Sequence, residues 1–407
     1  MTADKTIKPT NRNTQAPPKG RVESWMLDPY LLAALISIVT LGLIMVTSSS
    51  ISMAHKTTSQ PFYYAIHQAA FIFLGIVASV ILWGIPLRTL QKLSMFALFG
   101  VMGLLVLVFV PGLGKTVNGS TRWLNLGVTA VQVSEIAKLG MILFLAHYIA
   151  KYGASLQKNV IRFLVPLVIL AMLGGLLLLE PDFGATVVMT GVTLGLLFLG
   201  GVRLTWFAIL VAGAVGALGF LAISAPYRLL RLTSFLNPWA DQFDTGYQLT
   251  QALIAFGRGE WFGVGLGSSV QKLFYLPEAH TDFIFAVLAE ELGLVGALSV
   301  IVLYALFVFR GFKVGMAAVN RQDIFGGFVS YGVVLWIGIQ AVISIGVNTG
   351  VLPTKGLTLP FISYGGSSLV VMCVAVSLLL KVDYQNRLQH SPYYDRRKLF
   401  REVYACD

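Results

Sequence analysis

The stretch YLPEAHTDFIFAVLAEELG, residues 275–293, joins a polar segment to an apolar run that continues to Phe309. Its acid Asp282 lies where the run begins, and an ionisable residue at the end of a membrane span is a candidate functional site. The same position also suits a helix N-cap, because Thr and Asp commonly precede an apolar helix. These residues alone leave two roles open for Asp282, a catalytic base and a cap.

The composition is that of a multispanning membrane protein. Of the 407 residues, 56% are hydrophobic and only 12% are charged, which is more apolar than a globular core of this length requires. Ten apolar runs reach the length of roughly 20 residues that one span needs. We expect an all-α integral membrane protein with about ten transmembrane helices. The runs cover residues 30–50, 65–84, 93–110, 133–150, 163–179, 183–201, 205–224, 283–309, 325–347 and 362–382.

The distribution of positive charge predicts the orientation of these spans. Of the 29 Lys and Arg residues, 20 fall on the side that holds both chain ends and eight on the other, which by the positive-inside rule puts both termini in the cytoplasm. Asp282 then faces outside. We expect a disordered cytoplasmic tail over residues 1–24, a membrane domain over 25–383 with one long outer segment, 225–281, between spans seven and eight, and a cytoplasmic tail over 384–407.

Neither the net charge nor the cysteines point to another class of function. The formal charge is +11, but no basic patch interleaved with aromatic residues predicts nucleic-acid binding. Cys373 lies in an apolar run and Cys406 in the polar tail, so we expect no disulfide between them, and neither has metal-ligand spacing. The glycine run GRGEWFGVGLG, residues 257–267, lacks the strand and the Lys-Ser or Lys-Thr ending of a phosphate-binding loop.

A second polar cluster opens the fourth span. Glu135 and Lys138 are three residues apart and share a helix face, so we expect them to point into the bundle, pairing with each other or lining a wet cavity. A purely structural ion pair is the alternative. Arg122 and Trp123, in the preceding GSTRWLNLG, would bring a cation and an amphipathic ring to the same depth, where a membrane anchor explains Trp123 equally well.

Further features lie on the predicted outer side. Turn chemistry explains the Glu-Pro-Asp hairpin at residues 180–182, with support of the outer cavity as the alternative. The last outer loop carries Lys355, which could hold a diphosphate, and ends in small residues, including Ser363 and Ser367, that also permit close helix packing. Basic groups of the long outer segment would bind an anionic headgroup, although chance explains them equally well; they are Arg228, Arg231, Arg258 and Lys272.

Together these motifs resemble those of one family, the SEDS proteins of shape, elongation, division and sporulation. The resemblance rests on GSTRWLNLG and QVSEIAK before the fourth span, the EPDFGAT hairpin, QKLFYLPEAHTDF around Asp282, and LPTKGLTLPFISYGGSSL in the last outer loop. It covers nearly all of the membrane portion, residues 30–383. The Lys of QKLFYLPEAHTDF and the Pro-Thr-Lys-Gly of the last loop resemble the division branch rather than the elongation branch.

The resemblance implies a septal peptidoglycan glycosyltransferase of the bacterial cytoplasmic membrane. Its substrate would be lipid II, a disaccharide-pentapeptide on a polyprenyl diphosphate, polymerised into β-1,4 glycan strands at the outer face. Asp282 matches the family's essential aspartate, the implied general base for an inverting attack on the donor's anomeric carbon. Residues implied to bind substrate or to line the cavity are Glu135, Lys138, Arg122, Trp123, Lys272, Glu278, His280, Lys355, Ser363 and Ser367.

The resemblance also implies partners. We expect a class B penicillin-binding transpeptidase of the division type, other divisome membrane proteins and membrane lipids, and no nucleic acid. The residues make no cofactor certain. The chemistry admits one cofactor, a divalent cation such as Mg²⁺ or Mn²⁺ with Asp282 as a ligand. Such a cation can stabilise a departing diphosphate.

Two other functions stay open on sequence grounds, a lipid II flippase and a non-catalytic divisome scaffold that recruits the transpeptidase. An intramembrane Glu and Lys would suit transport, but the acids and bases lie at the outer end of the bundle, without a matching polar path to the cytoplasmic face. The chain departs from the family pattern at Val133, where proline is expected, at Ser344, where asparagine is expected, and at Ala252, where serine is frequent. These departures leave Asp282 unchanged and put details of the cavity in question.

Overall fold

The computed structural model describes residues 26–117, 120–125, 130–156, 159–223, 235–244, 246–353 and 356–389. Over these residues the chain forms ten long apolar helices, a small sheet and a shorter helix, α8, in the long outer segment. In chain order the elements are α1 (Pro29–Thr58), α2 (Tyr63–Trp83), α3 (Leu87–Leu107), β1 (Gly114–Val117), β2 (Ser120–Asn125), β3 (Ala130–Gln132), α4 (Val133–Leu156), α5 (Val160–Leu179), α6 (Phe183–Leu199), α7 (Leu204–Ile223), α8 (Tyr247–Gly259), α9 (Ile284–Asn320), α10 (Ile324–Asn348) and α11 (Gly366–Gln389).

Each predicted span corresponds to one long helix, which confirms the helical, multispanning fold. Among the described residues, eight helices are long and apolar enough to cross a membrane, and two shorter apolar stretches are α6 and residues 204–217 of α7. The bundle end that holds Asp282 is termed the site end, and the opposite end the tail end. The charge distribution predicts that the site end faces outside.

Two helices run past the predicted ends of their spans at the tail end. The helix α9 ends at Asn320 rather than near residue 309, and α11 ends at Gln389, beyond the domain boundary predicted at residue 383. The predicted spans end where polar residues interrupt the apolar run. In the structure such a residue has a partner, since Arg310 Nε donates to Asp28 Oδ2 at 2.9 Å. A helix can continue through such residues because a buried polar group is tolerated once it has a partner.

Charged side chains form a network at the tail end. Both Arg310 and Arg387 contact the Asp28 carboxylate, Arg387 also reaches Asp383 at 3.2 Å, and the Asp28 amide donates to Asp383 at 2.6 Å. Both acids are buried, and the arginines supply the opposite charge that burial requires. The network joins α1, α9 and α11. The predicted tails begin there, and residues 1–25 and 390–407 lie outside the described part of the chain.

A three-stranded antiparallel sheet, in the order β1-β2-β3, precedes α4 at the site end. Lys115 lies opposite Trp123 in the first pair of strands, and Trp123 lies opposite Gln132 in the second. Hydropathy gives no signal for strands this short outside an apolar run. The sheet leads directly into α4, whose first residue, Val133, is fully buried, so the fourth span begins at the expected residue without the proline.

The long outer segment is fastened to a break in α9. Gly293 has a φ of 69°, a conformation that glycine adopts without the steric cost of a Cβ. Around this break the amides of residues 264 and 265 donate to the carbonyls of residues 290 and 291, and the amides of residues 294 and 295 donate to the carbonyls of residues 260 and 261, at 2.9–3.1 Å. The break therefore frees the backbone groups that bind the outer segment.

The long outer segment contains two short helical elements among its described residues. A single 3₁₀ turn, Pro238–Asp241, leads to α8, which buries Leu249, Ala252 and Ala255. Because Ala252 is completely buried, the alanine at this position leaves no polar group to satisfy. The side chains of Trp239 and Trp261 are exposed, as expected for aromatic residues at a membrane interface.

Glycines let α9 and α10 approach closely. A Cβ at Gly311 would collide with Val334, and one at Gly315 would collide with the ring of Tyr331. Small residues at such contacts allow helix backbones to come together in a membrane. This packing fixes α10 against α9. The side-chain amides of Gln340 and Asn348, which contact the residues around Asp282, lie on α10.

Candidate active site

The main chain before α9 is held at three successive residues. Tyr364 N donates to the His280 carbonyl at 2.9 Å, Ser363 Oγ donates to the Thr281 carbonyl at 2.6 Å, and Asn348 Nδ2 donates to the Asp282 carbonyl at 2.8 Å. Two of these donors come from the loop before α11 and one from the end of α10. The backbone that presents Asp282 is therefore fixed from two sides.

Asn348 also binds the first turn of α9. The N-cap position of α9 falls on Phe283, which makes no side-chain cap bond. Asn348 Oδ1 instead accepts from Ala286 N, in the first turn of the helix, at 3.1 Å. Asn348 thus does what a capping side chain does, and the choice between base and cap for Asp282 stays a prediction.

The Asp282 side chain is half-buried and lies against the last loop of the site end. A Cβ placed on Gly356 would stand 3.1 Å from Asp282 Oδ2, so a residue with a side chain at that position would crowd the carboxylate. Lys355 precedes this glycine in the chain and lies outside the described residues. The glycine therefore permits the close approach of loop and carboxylate.

The residues that precede Asp282 differ in exposure. Glu278 is exposed and accepts from Thr281 Oγ1 at 2.6 Å, whereas His280 is buried with its ring 4.8 Å from that of Tyr64. Burial lowers the pKa of His280, and the charge of Glu278 opposes that shift. The imidazole is consequently neutral at pH 7.

The pairing expected for Glu135 and Lys138 is confirmed. Lys138 Nζ lies 2.8 Å from Glu135 Oε1 and donates to Gln340 Oε1 at 2.9 Å. Gln340 also accepts from Trp336 Nε1 at 2.9 Å and donates to the Thr358 carbonyl at 3.0 Å. Both charges are almost completely buried. The pair is thus connected through Gln340 to the loop that lies against Asp282.

Arg122 lies at the Glu-Pro-Asp hairpin between α5 and α6. Its Nε donates to the Glu180 carbonyl at 3.2 Å, and Nη2 donates to the Pro181 carbonyl. The Glu180 carboxylate is buried, and neither of its oxygens has a hydrogen-bond partner among the described residues. Burial raises the pKa of Glu180 to about 8, the charge of Asp182 adds to the shift, and Arg122 opposes it.

The two serines predicted to lie at the site bind backbone groups. Ser363 Oγ, besides its bond to Thr281, accepts from Leu359 N at 2.8 Å, and Ser367 Oγ accepts from Gln132 N at 3.0 Å. Through Ser367, α11 is fastened to the end of β3, next to Trp123. Both hydroxyls therefore position segments of the site end.

Lys272 lies apart from this group, in a buried ion pair beneath the long outer segment. Its Nζ lies 2.7 Å from Glu291 Oε1 and donates to Ser48 Oγ at 3.1 Å. The adjacent Glu290 accepts from Val270 N at 3.1 Å. These contacts fasten the segment to α1 and α9. Of the predicted site residues, then, the structure brings Asp282, His280, Glu278 and Ser363 together, and sets Lys272 elsewhere.

Sequence reasoning missed Gln340 and Asn348. They are the amides through which α10 reaches the loop and Asp282. The sequence does contain a signal for them. The two amides lie eight residues apart in one apolar run, and this spacing places them on one helix face. Among the residues that the structure describes, no group of three or more His, Cys, Asp or Glu side chains could hold a metal ion.

The chain matches a described family over most of its length. The family model for cell cycle proteins of the FtsW/RodA/SpoVE type matches residues 29–388. The chain belongs to this family. The FtsW/RodA/SpoVE assignment confirms the resemblance drawn from the sequence motifs.

Relatives and solved structures agree with the FtsW/RodA/SpoVE assignment. A protein of Legionella pneumophila, named probable peptidoglycan glycosyltransferase FtsW, is 49% identical over 94% of this chain and 97% of its own. A protein of the same name from Nitrosococcus halophilus is 53% identical over 88% of this chain and 93% of its own.

Two solved structures share the fold. The rod shape determining protein RodA of Thermus thermophilus is 28% identical, with a TM-score of 0.66 over 89% of this chain and 97% of that one. A chain from a peptidoglycan synthase complex is 29% identical, with a TM-score of 0.71 over 89% of this chain and 99% of that one. The higher identity to the FtsW relatives than to RodA agrees with the resemblance to the division branch.

Proposed function

We propose that the chain is a peptidoglycan glycosyltransferase that polymerises lipid II into β-1,4 glycan strands. One observation carries the proposal: hydrogen bonds fix three successive residues, 280–282, so that an acidic side chain is held half-buried at the mouth of a membrane bundle. The relatives named probable peptidoglycan glycosyltransferase FtsW, 49% and 53% identical to this chain, support the same activity.

In the proposed reaction Asp282 is the general base. It would take the proton from the acceptor sugar's 4-hydroxyl as that oxygen attacks the anomeric carbon of the donor. The diphosphate would leave with the electron pair of the broken bond. Attack on the face opposite the α-linked diphosphate inverts the carbon and forms the β-1,4 bond. The fixed backbone serves this step, because a base must be held in reach of the hydroxyl.

A diphosphate leaving group explains why one essential carboxylate suffices. Glycosidases use a second carboxyl group as an acid for a poor leaving group, whereas a diphosphate departs as a stable anion that positive charge stabilises. We assign that positive charge to Lys355, whose neighbour Gly356 lies against Asp282. A divalent cation, Mg²⁺ or Mn²⁺, would bind mainly to the diphosphate oxygens, and no step of the reaction is assigned to it.

The partner that we propose is a class B penicillin-binding transpeptidase of the division type, with other divisome proteins around it. The two would work at the septum, in the bacterial cytoplasmic membrane. The similarity to a chain from a peptidoglycan synthase complex that combines polymerisation with crosslinking supports this partner. The exposed rings of Trp239 and Trp261 would contact membrane lipids.

The proposed activity is tested with purified components. The chain is combined with its transpeptidase partner, whose own active site is blocked, and supplied with lipid II. We expect glycan strands that gel electrophoresis resolves. A scaffold would give strands only when another polymerase is added, and a flippase would move labelled lipid II across a vesicle membrane without forming strands. Either of these results would overturn the proposal.

A further inference from the structure

Five aromatic rings form a cluster at the site end, and the proposed reaction uses none of them. Three come from the beginning of α2, namely Tyr63, Tyr64 and His67. His280 precedes Asp282, and Tyr364 precedes α11. All except His280 are half-buried, so part of each of these rings is open to its surroundings. The set is termed the aromatic cluster.

The rings contact one another in a continuous series. The Tyr64 ring lies 4.8 Å from His280 and 5.1 Å from Tyr364, and the latter contact is edge to face. At the other end of the series, Tyr63 lies 5.3 Å from Tyr64, again edge to face, and 4.1 Å from His67. Edge-to-face contacts are favourable between aromatic rings. The cluster is therefore organised by its own contacts, and its half-buried rings remain partly exposed.

The aromatic cluster is coupled to Asp282 through the backbone. Tyr364 N donates to the His280 carbonyl, and His280 is two residues from Asp282. Burial, with the neighbouring Tyr63 and Tyr64, raises the pKa of Tyr364 to about 12, so its phenol keeps its proton at pH 7. The neutral imidazole of His280 likewise carries no charge. Two of the five rings, Tyr364 and His280, are therefore uncharged beside the proposed base.

A buried amide next to the cluster lacks a hydrogen-bond donor. Gln68 follows His67 on α2 and is completely buried. Its Nε2 donates to the Ser363 carbonyl at 3.3 Å, but its Oε1 has no partner among the described residues. A buried carbonyl oxygen without a partner costs free energy. Among the described residues, one buried polar atom beside the cluster is therefore left unpaired.

Resting on the function proposed above, we propose that the aromatic cluster is a saccharide-stacking subsite, which holds a sugar ring of lipid II beside Asp282. The C–H bonds on one face of a sugar carry slight positive charge and pack on the electron-rich face of an aromatic ring. The hydroxyls at the edge of the sugar can donate to the tyrosine oxygens. Polar groups at the margin of an aromatic surface are typical of sites that orient one ligand.

Binding measurements test the subsite separately from catalysis. The full chain carries Asp282→Asn, so that lipid II is not consumed, and its affinity is measured for lipid II and for the sugar-free polyprenyl diphosphate. We expect Tyr64→Leu to weaken lipid II binding about tenfold, the effect of losing about 1.4 kcal/mol of stacking. Affinity for the sugar-free lipid should not change. Tyr64→Phe, which keeps the ring, should bind lipid II within about twofold of the parent.

The matched control is Tyr275→Leu, since Tyr275 is an exposed tyrosine of the same outer surface outside the cluster. If Tyr64→Leu does not fold, Tyr63→Leu, at the margin of the cluster, allows the same comparison. Unchanged lipid II binding, an equal loss for both lipids, or an equal loss in the Phe and Leu variants would make the cluster a packing or interface feature and overturn the subsite. Strand formation by the Asp282→Asn parent would overturn the proposed base, whereas the comparison among the Tyr64 variants tests the subsite alone.

Discussion

Asn348 is a buried side chain on which the position of Asp282 depends. It donates to the Asp282 carbonyl and accepts from the first turn of α9, and it also donates to the Ser344 carbonyl at 2.8 Å. Ser344, which stands where asparagine is expected, is buried with its own hydroxyl unpaired among the described residues. The amide that the site requires is therefore supplied from the last turn of α10.

Replacing Asn348 with Ala should slow strand formation by about tenfold, because a small misplacement of a catalytic group is costly. Stability should fall by about 1–3 kcal/mol for each buried group left unpaired. The initial rate of polymerisation, expressed per folded molecule, measures the first effect, and thermal unfolding in detergent measures the second.

Asn386→Ala is the matched control for that experiment. Asn386 is also buried and donates to the Val314 carbonyl at 3.0 Å, but it lies at the tail end. It should lose stability while keeping its rate per folded molecule. Equal rates for the two alanine variants would contradict a positioning role for Asn348.

Glu180 predicts how stability depends on pH. Its pKa in the folded chain is about 8 against an ordinary value of 4.5, so the folded chain binds the extra proton between these values. The stabilisation is complete below pH 4.5 and is lost as the pH rises through 8. We expect the melting temperature to fall between pH 5 and 8 relative to Glu180→Gln. The exposed Glu260→Gln should follow the wild type, and parallel curves for wild type and Glu180→Gln would contradict the assignment.

The sequence identifies charged residues of the site more readily than uncharged ones. Asp282, Glu135 and Lys138 are conspicuous because a charge within or beside an apolar run needs an explanation. Asn348 and Gln340 carry no charge, and their partners lie 66 and 202 residues away along the chain. Such contacts depend on how helices pack, which periodicity and hydropathy do not encode. The pairing of Lys272 with Glu291 has the same cause, since the two residues are 19 positions apart along the chain.

Among the helices, α4 and α10 are joined by the ion pair of Glu135 and Lys138 and by its bond to Gln340. Removing only Lys138 would leave a carboxylate buried without its partner, which typically costs about 3–5 kcal/mol. We expect Lys138→Met to unfold at a lower temperature than the wild type. Adding Glu135→Leu should recover most of that stability, because two apolar residues of similar volume often replace a buried ion pair without loss.

Polymerisation separates the functional role of this pair from a structural one. If the pair lines the reaction cavity, the double variant should form strands at least about tenfold more slowly than the wild type, or not at all. Arg310, whose salt bridge with Asp28 lies at the tail end, provides the matched control through the double variant Asp28→Leu with Arg310→Met. Full polymerisation by the Glu135 and Lys138 double variant would mean that this pair only holds α4 against α10.

The helices themselves were predictable, but their ends and attachments were less so. Apolar runs locate every long helix, because a span must be apolar over its length. The continuation of α11 to Gln389 depends on paired polar residues, and the sheet before α4 depends on short strands without an apolar run. The kink in α9 is marked in the sequence only by Gly293, one of 41 glycines.

The molecule as a whole has polar groups gathered at both ends of an apolar bundle, with different consequences. At the tail end the buried charges of Asp28 and Asp383 are matched by Arg310 and Arg387, which suits a structural role. At the site end a half-buried acid lies beside the aromatic cluster and a loop that carries Lys355. Chemistry on a lipid-linked sugar requires this second arrangement, because the lipid stays in the membrane while the sugar reaches the acid.

The central claim is that Asp282 is the base of a polymerisation reaction. The most direct measurement is the initial rate of glycan-strand formation from purified lipid II, by the chain with its transpeptidase partner, for wild type, Asp282→Asn and the exposed outer acid Asp244→Asn. We predict that Asp282→Asn forms no detectable strands while it remains folded and bound to the partner, and that Asp244→Asn matches the wild type. Strand formation by Asp282→Asn at the wild-type rate would contradict the claim.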